Sequence, residues 1–177
     1  MLPDSVDRRR LKELPAPELV ALIEPHWRGV FGCSARAEGT VFPVAAWQET
    51  FVIAAREEAT SLADLVRLAE PLFVDAIVSY TPEAQQCLND GFAGEVLSAF
   101  REGLTAVEPF DYDQVNHYLR DLRWRFKSDK GLTGRQVMSV IRAALTGALA
   151  GPCLVVMVIL LGKARCLQRT SAALQQI

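Results

Sequence analysis

The sequence lacks the residue clusters that most catalytic and metal sites need. Its two histidines and four cysteines are scattered and include no CxxC pair, so a structural zinc site is not expected. No G-x-S-x-G motif is present, and neither histidine has an evident nucleophile partner. Gly162 and Lys163 resemble the end of a phosphate-binding loop, but Met157 stands where that loop needs its first glycine. The sequence therefore predicts neither a catalytic site nor a metal site.

The sequence also lacks a strong charge of either sign. Its 19 basic and 21 acidic residues give a net charge of −2, so any RNA site has to be a local basic patch. Apolar residues make up 50% of the 177 residues, which is enough for a buried core and argues against extended disorder. The isolated cysteines are interpreted as buried free thiols of a protein in a reducing compartment.

No targeting signal is predicted at the start of the chain. Three arginines at 8–10 are followed by no apolar run, which argues against a signal peptide. Two acidic residues, Asp4 and Asp7, argue against a transit peptide.

One uncharged segment, from Ala143 to Gly162, is long enough at 20 residues to cross a bilayer. However, Gly147, Gly151 and Pro152 fall near its middle, where they would break a single helix. Neither flank carries the Trp/Tyr belt of a lipid interface. The segment is therefore predicted to form two buried helices joined at a corner, with no membrane partner. A membrane-associated helical protein remains the alternative.

Apolar spacing and helix caps predict an all-α protein. Predicted helix starts are Ser61 with Asp64, Thr81 with Pro82, Asp111, and Thr133 with Gln136. The helix that follows Ser61 is predicted to extend to Val78, with a bend at Pro71. The turn near Leu88–Gly91 divides the chain into two consecutive small helical bundles, residues 1–89 and 90–177.

The C-terminal third carries a spaced series of motifs. They are K-G-x-x-G at Lys130, Gly131 and Gly134, I-R-A-A-L-T-G at 141–147, G-P-C-L at 151–154 and L-L-G-K at 160–163. Together they closely resemble the last segment of bacterial-type glutamyl-tRNA synthetases, the glutamate–tRNA ligases, over residues 130–169 without a gap. Weaker resemblance covers residues 7–27 and 60–73. The resemblance implies an anticodon-binding domain in which the two helical bundles form an α-helix cage.

Ligases of this family activate glutamate on a separate Rossmann-type domain with HIGH-like and KMSKS-like signatures. Neither signature occurs in this sequence. In particular, residues 128–131 do not match the KMSKS-like one. The resemblance therefore implies that ATP and magnesium belong to a catalytic domain outside this chain, which needs no cofactor of its own. The chain is either a fragment of a longer ligase or a free-standing module. The sequence alone therefore leaves open whether the chain is part of an enzyme. A cytoplasmic or organellar location is implied.

By resemblance, the corner after the RAALTG helix holds the first two anticodon bases of glutamate tRNA. Arg142 is expected to donate two hydrogen bonds to pyrimidine carbonyl oxygens while it stacks on a base. Gly151 and Pro152 are expected to begin the next helix, at whose start unpaired backbone N–H groups point outward and can meet base or phosphate oxygens. Leu154 is expected to provide an apolar wall. The alternatives are a structural role at the helix end for Arg142 and simple core packing for Leu154.

A rim of basic residues is expected to contact phosphates. It comprises Lys127, Lys130 and Arg135, with Arg120, Arg123 and Arg125 on the preceding helix. Phosphate contacts add salt-dependent affinity without sequence choice, and the alternative for each residue is a solvated surface position. Trp47 and Trp124 could stack on bases, but both lie on apolar stripes and are therefore predicted to be core residues.

Members of the family that discriminate among tRNAs read the third anticodon base with an arginine from the first bundle. Glu58 stands near that position here, with Arg56 two residues earlier. Discrimination between glutamate and glutamine tRNAs is therefore left open. A helical scaffold that kept the fold but lost RNA binding is the remaining alternative.

Overall fold

The computed structural model describes residues 8–177, which form ten helices. They are α1 (Arg8–Glu13), α2 (Ala16–Phe31), α3 (Val44–Ala55), α4 (Leu62–Phe73), α5 (Pro82–Leu88), α6 (Ala93–Thr105), α7 (Tyr112–Lys130), α8 (Gly134–Thr146), α9 (Leu154–Leu161) and α10 (Lys163–Leu174). The predicted all-α class is confirmed. Asp4 and Asp7, the two residues that argue against a transit peptide, lie outside the described part.

The predicted caps begin their helices. Thr133 accepts a hydrogen bond from the backbone of Gln136 at 3.2 Å, and the Gln136 side chain accepts from the Thr133 backbone at 2.9 Å, which completes a capping box. Caps also begin α5 at Thr81 and α7 at Asp111. Ser61 caps α4, but the Asp64 carboxylate accepts from the backbone of Thr60 at 3.0 Å. The reciprocal half of that box is therefore displaced by one residue.

Helix α4 ends at Phe73, five residues before the predicted end at Val78. Pro71 lies inside the helix and does not end it. The last turn of a helix leaves carbonyls without intrahelical partners, and three arginines from elsewhere in the chain donate to them. The bonds are Arg36 to Phe73 O at 2.8 Å, Arg165 to Leu72 O at 2.7 Å and Arg169 to Val74 O at 2.6 Å. These tertiary contacts fix the end of the helix.

The uncharged segment 143–162 forms the predicted corner between two helices. Helix α8 ends at Thr146, and α9 begins at Leu154. Helix α9 buries six of its eight side chains, all of them apolar, which stabilises the fold by removing them from water. None of the helices within residues 8–177 is both long and apolar enough to cross a membrane.

Helices α2, α3 and α4 pack around an aromatic cluster of Trp27, Trp47, Phe51 and Phe73. Helices α6, α7, α8 and α10 pack together farther along the chain, and α5 packs on α8. The buried residues form one continuous core. The Trp47 indole donates to the Leu160 carbonyl at 3.0 Å, which ties α3 to α9. Although α5 precedes the predicted 89/90 boundary, its contacts lie with the helices that follow it. The division into two bundles stays a prediction.

The four cysteines are free thiols, but their burial differs. Cys166 is fully buried, and this burial raises the pKa of its thiol to about 12. Cys33 and Cys87 are half-buried. Cys153 is exposed at the N-cap of α9, so the prediction of a buried thiol is wrong there.

Candidate nucleic-acid interface

Arg142 lies one turn before the end of α8, with most of its side chain inside the protein. Its Nη1 atom is buried and has no hydrogen-bond partner within residues 8–177. Burial lowers the pKa of the guanidinium, and nearby Cys153 and Glu58 partly oppose that shift. A buried donor left without a partner costs about 1–3 kcal/mol. This cost makes Arg142 a donor that gains from an added acceptor.

A small cleft of about 60 Å³ surrounds this guanidinium. Arg142, Gly151 and Pro152 line it together, so the structure brings three of the four predicted anticodon-contacting residues to one place. The opposite wall comes from α4, with Arg67, Leu68 and Pro71. Such a volume holds only a few water molecules. The cleft is therefore too small to hold a whole nucleotide.

Leu154, the fourth predicted residue, lies outside the cleft that the other three line. It is 6% exposed, packs in the core and does not line the cleft. Leu68 and Met157 are among the apolar residues that line the cleft. A direct contact between Leu154 and RNA stays a prediction from the sequence.

Gly151 and Pro152 precede α9 and do not begin it, which corrects the expected helix start. Helix α9 begins at Leu154 with Cys153 as its N-cap. Gly151 has a φ of 136°, a conformation that side-chain-bearing residues rarely adopt. The chain therefore changes direction at Gly151, three residues before the first residue of α9. The single backbone N–H of Gly151 therefore lies in the connection before α9 and not at the start of the helix.

The predicted phosphate contacts lie at the other end of α8. Lys127 and Lys130 lie in the last turn of α7, and Arg135 lies in the first turn of α8. All three are exposed. From Arg135 to Thr146 the helix rises by about 16 Å. Lys130 also forms an ion pair with Glu95 at 3.0 Å. The structure therefore does not bring this basic rim to the Arg142 cleft.

The structure separates the two tryptophans. Trp47 is fully buried, as predicted. Trp124 is 71% exposed, so its assignment to the core is wrong. Helix α7 buries Leu122 and Phe126, and Trp124 lies about 200° around the helix from Leu122. The exposed face of this helix also carries the three predicted arginines, Arg120, Arg123 and Arg125.

Arg67 on α4 was not among the residues that the sequence indicated. It lines the Arg142 cleft and also a neighbouring pocket of about 330 Å³. Its side chain is 68% exposed and its Nη2 lies 3.3 Å from the Asp64 carboxylate. The only sequence signal was that Arg67 and Pro71, four residues apart, share one face of an amphipathic helix.

Within residues 8–177 no three His, Cys, Asp or Glu side chains are grouped as metal ligands.

Comparison with known proteins identifies the class. A model of the anticodon binding domain family matches residues 18–174, and the chain belongs to this family. Membership implies a tRNA partner. The fold described above is that of an anticodon-binding domain, and the chain carries no catalytic domain of a ligase.

The relatives are glutamate–tRNA ligases. The chain is 32% identical to the ligase of Geobacillus thermodenitrificans over 130 residues, which cover 73% of this chain and 26% of the relative. It is 28% identical to the ligase of Bacillus subtilis over 166 residues, covering 93% and 32%. A crystal structure of a glutamate tRNA ligase from Elizabethkingia meningosepticum has the same fold, with a TM-score of 0.73 at 20% identity over 96% of this chain and 31% of that one. The chain thus spans about a third or less of the relatives that it matches.

Proposed function

We propose that the chain binds the anticodon loop of glutamate tRNA and serves a glutamate–tRNA ligase. The catalytic domain would be fused to it or supplied as a separate protein. The observation that carries the proposal is the buried Nη1 of Arg142, which has no hydrogen-bond partner within residues 8–177 and lies in a cleft at the corner between α8 and α9. Specific RNA recognition usually targets unpaired loop bases, whose edges are free for hydrogen bonding.

In this proposal the guanidinium of Arg142 donates to the carbonyl oxygens of a pyrimidine. Gly151 and Pro152 line the same cleft and limit how far the base edge enters. Lys127, Lys130 and Arg135 contact phosphates of the same RNA from the far end of α8, and these contacts weaken as salt rises. Leu154 supports the corner from the core side.

Chemistry and location follow from this role. We propose that ATP and magnesium bind the catalytic domain of the ligase, and that this chain contributes affinity and anticodon choice. Because the relatives are glutamate–tRNA ligases, we propose the cytoplasm or an organelle that makes protein as the site of action.

A titration of the 177-residue chain tests the proposal. Glutamate tRNA and the same tRNA with another anticodon are compared at modest salt. We expect at least about tenfold tighter binding of the first, since each wrong base in a recognised site typically costs 1–3 kcal/mol. Equal affinity, or no binding, would overturn the proposal in favour of a helical scaffold. Recovery of the protein only in detergent would instead favour a membrane-associated protein.

A further inference from the structure

A second and larger cavity adjoins the Arg142 cleft. It has a volume of about 330 Å³ and lies between α4, the segment 74–81 and the end of α8. Pockets that bind small organic molecules usually measure about 300–1,000 Å³. This pocket is therefore large enough for the whole ring of a nucleobase, whereas the Arg142 cleft is not.

The pocket walls are held by backbone contacts. Thr81 donates its backbone N–H to the Gly147 carbonyl at 2.8 Å. A Cβ on Gly147 would lie 2.7 Å from the Ser79 carbonyl oxygen, and Gly147 has a φ of 76°. Segment 74–81 therefore crosses directly over the end of α8, at a distance that only glycine allows. The pocket is formed by the fold before any ligand binds.

The lining suits a nucleobase. Tyr80 lines the pocket and brings an aromatic ring to its wall. Arg67 and Glu70 are three residues apart on α4, so a cationic donor and an anionic acceptor line the same wall. Nucleobases present both acceptors and donors along their edges and stack on aromatic rings. Both kinds of contact are offered here.

Arg67 connects the two cavities. It lines both of them, as do Pro71 and Thr146. Its ion pair with Asp64 is long at 3.3 Å, and the other oxygen of that carboxylate is held by Thr60. An arginine that is 68% exposed and weakly paired keeps several of its five donors available. Two consecutive unpaired nucleotides have two bases joined through one phosphate. Two adjacent cavities with an arginine in the lining of both offer one site for each base and one cation for the phosphate.

We propose that the pocket beside Tyr80 takes a second unpaired base of the RNA whose neighbouring base meets Arg142, and that Arg67 binds the phosphate between them. This inference rests on the proposed RNA-binding function and adds a residue and a pocket to it. Arg67 supplies charge-assisted hydrogen bonds, which are stronger than neutral ones. Tyr80 supplies stacking.

The test of the phosphate contact uses a synthetic anticodon stem–loop of glutamate tRNA and the full chain. Arg67→Ala is compared with Arg28→Ala, a matched control with 65% side-chain exposure and an ion pair to Glu24 on α2. We expect Arg67→Ala to weaken binding about tenfold and to lower the salt slope of log K by about 0.7, the value for one phosphate of a single strand. Arg28→Ala should change neither. Equal behaviour of the two variants would overturn the role of Arg67.

The test of the base pocket uses Tyr80→Leu and stem–loops in which each loop position in turn lacks its base. We expect Tyr80→Leu to weaken the intact loop by about fivefold or more, because stacking contributes about 1–3 kcal/mol per base. For one abasic RNA the variant and the wild type should bind equally, since the base that stacks is missing. Thermal unfolding confirms that the variant folds.

The outcomes separate this inference from the proposed function. If the wild type prefers the glutamate anticodon but Tyr80→Leu weakens every abasic RNA to the same degree, the pocket takes no base and the inference alone is wrong. If the wild type binds no RNA, both the proposed function and the inference are wrong. Binding of free nucleotides in the pocket without any loop preference would also overturn the inference.

Discussion

Gly151 lies directly against the guanidinium of Arg142. A Cβ at position 151 would be 3.4 Å from Nη1 of Arg142, and the residue has a φ of 136°. The corner after α8 therefore places a positive-φ glycine against a buried guanidinium nitrogen that has no hydrogen-bond partner within residues 8–177. Because the two features meet at the same atom, changes at either residue report on the same cleft.

Gly151→Ala is predicted to destabilise the protein and to weaken RNA binding. The backbone conformation at φ 136° costs a residue with a side chain about 1–3 kcal/mol. The added methyl group also narrows the cleft beside Arg142. Urea denaturation measures the first effect and titration with glutamate tRNA the second. Gly91→Ala is the control, since a Cβ there meets nothing within 4 Å. A Gly151 variant as stable as the Gly91 variant would contradict the strain at this corner.

Arg142→Met is predicted to separate RNA binding from stability. The substitution removes a buried donor that has no partner within residues 8–177, so the free energy of unfolding should stay unchanged or rise by up to about 1 kcal/mol. RNA affinity should fall by about 1–3 kcal/mol, the range for a good base contact. Circular dichroism, urea denaturation and titration measure these changes. A loss of stability with unchanged affinity would instead assign Arg142 a structural role.

Local signals in the sequence predicted helix starts better than helix ends. The Thr133–Gln136 box was predictable because its atoms lie within four residues of one another. The end of α4 was not, because it depends on Arg165 and Arg169, which lie 93 and 95 residues away from the carbonyls they bind. No propensity of the segment itself carries that information.

The candidate site was predictable only in part for a similar reason. Family motifs pointed to Arg142, Gly151 and Pro152, which the fold brings together. They could not place Arg67, because its pocket exists only where segment 74–81 crosses the end of α8. Trp124 was assigned to the apolar stripe of α7, but the buried stripe runs through Leu122 and Phe126, and Trp124 lies on the exposed side of the helix.

Arg169→Met is predicted to destabilise the fold strongly. Arg169 is 2% exposed and donates to the carbonyls of Val74 and Leu145, so it joins the end of α4 to α8. Without it, those carbonyls lose their donor, at about 1–3 kcal/mol for each one left buried and unpaired. Urea denaturation measures the loss. Arg9→Met, at a site 87% exposed, should change stability by no more than about 0.5 kcal/mol. Equal effects of the two variants would contradict the role of Arg169 in holding α4.

Stability is predicted to fall in alkali because of Cys166. Burial raises the pKa of this thiol from 9.0 to about 12 in the folded protein, so the unfolded chain releases its proton first. The stability contributed by the neutral, buried thiol is therefore complete below the unfolded pKa and declines as pH rises towards the folded one. Between about pH 8 and about pH 10 the free energy of unfolding should fall by about 1 kcal/mol more in the wild type than in Cys166→Ala.

Urea denaturation at both pH values measures this difference, and the exposed Cys153 provides the control. Cys153→Ala should keep the full alkaline loss, because removing an exposed thiol leaves the buried one in place. The difference in the free energy of unfolding between the wild type and Cys166→Ala removes the contribution of every other titrating group, since those groups are common to both proteins. Parallel pH curves for the wild type and Cys166→Ala would show that the Cys166 thiol ionises as readily in the folded protein as in the unfolded chain. The packing of α10 around Cys166 would then have to admit water to the sulfur.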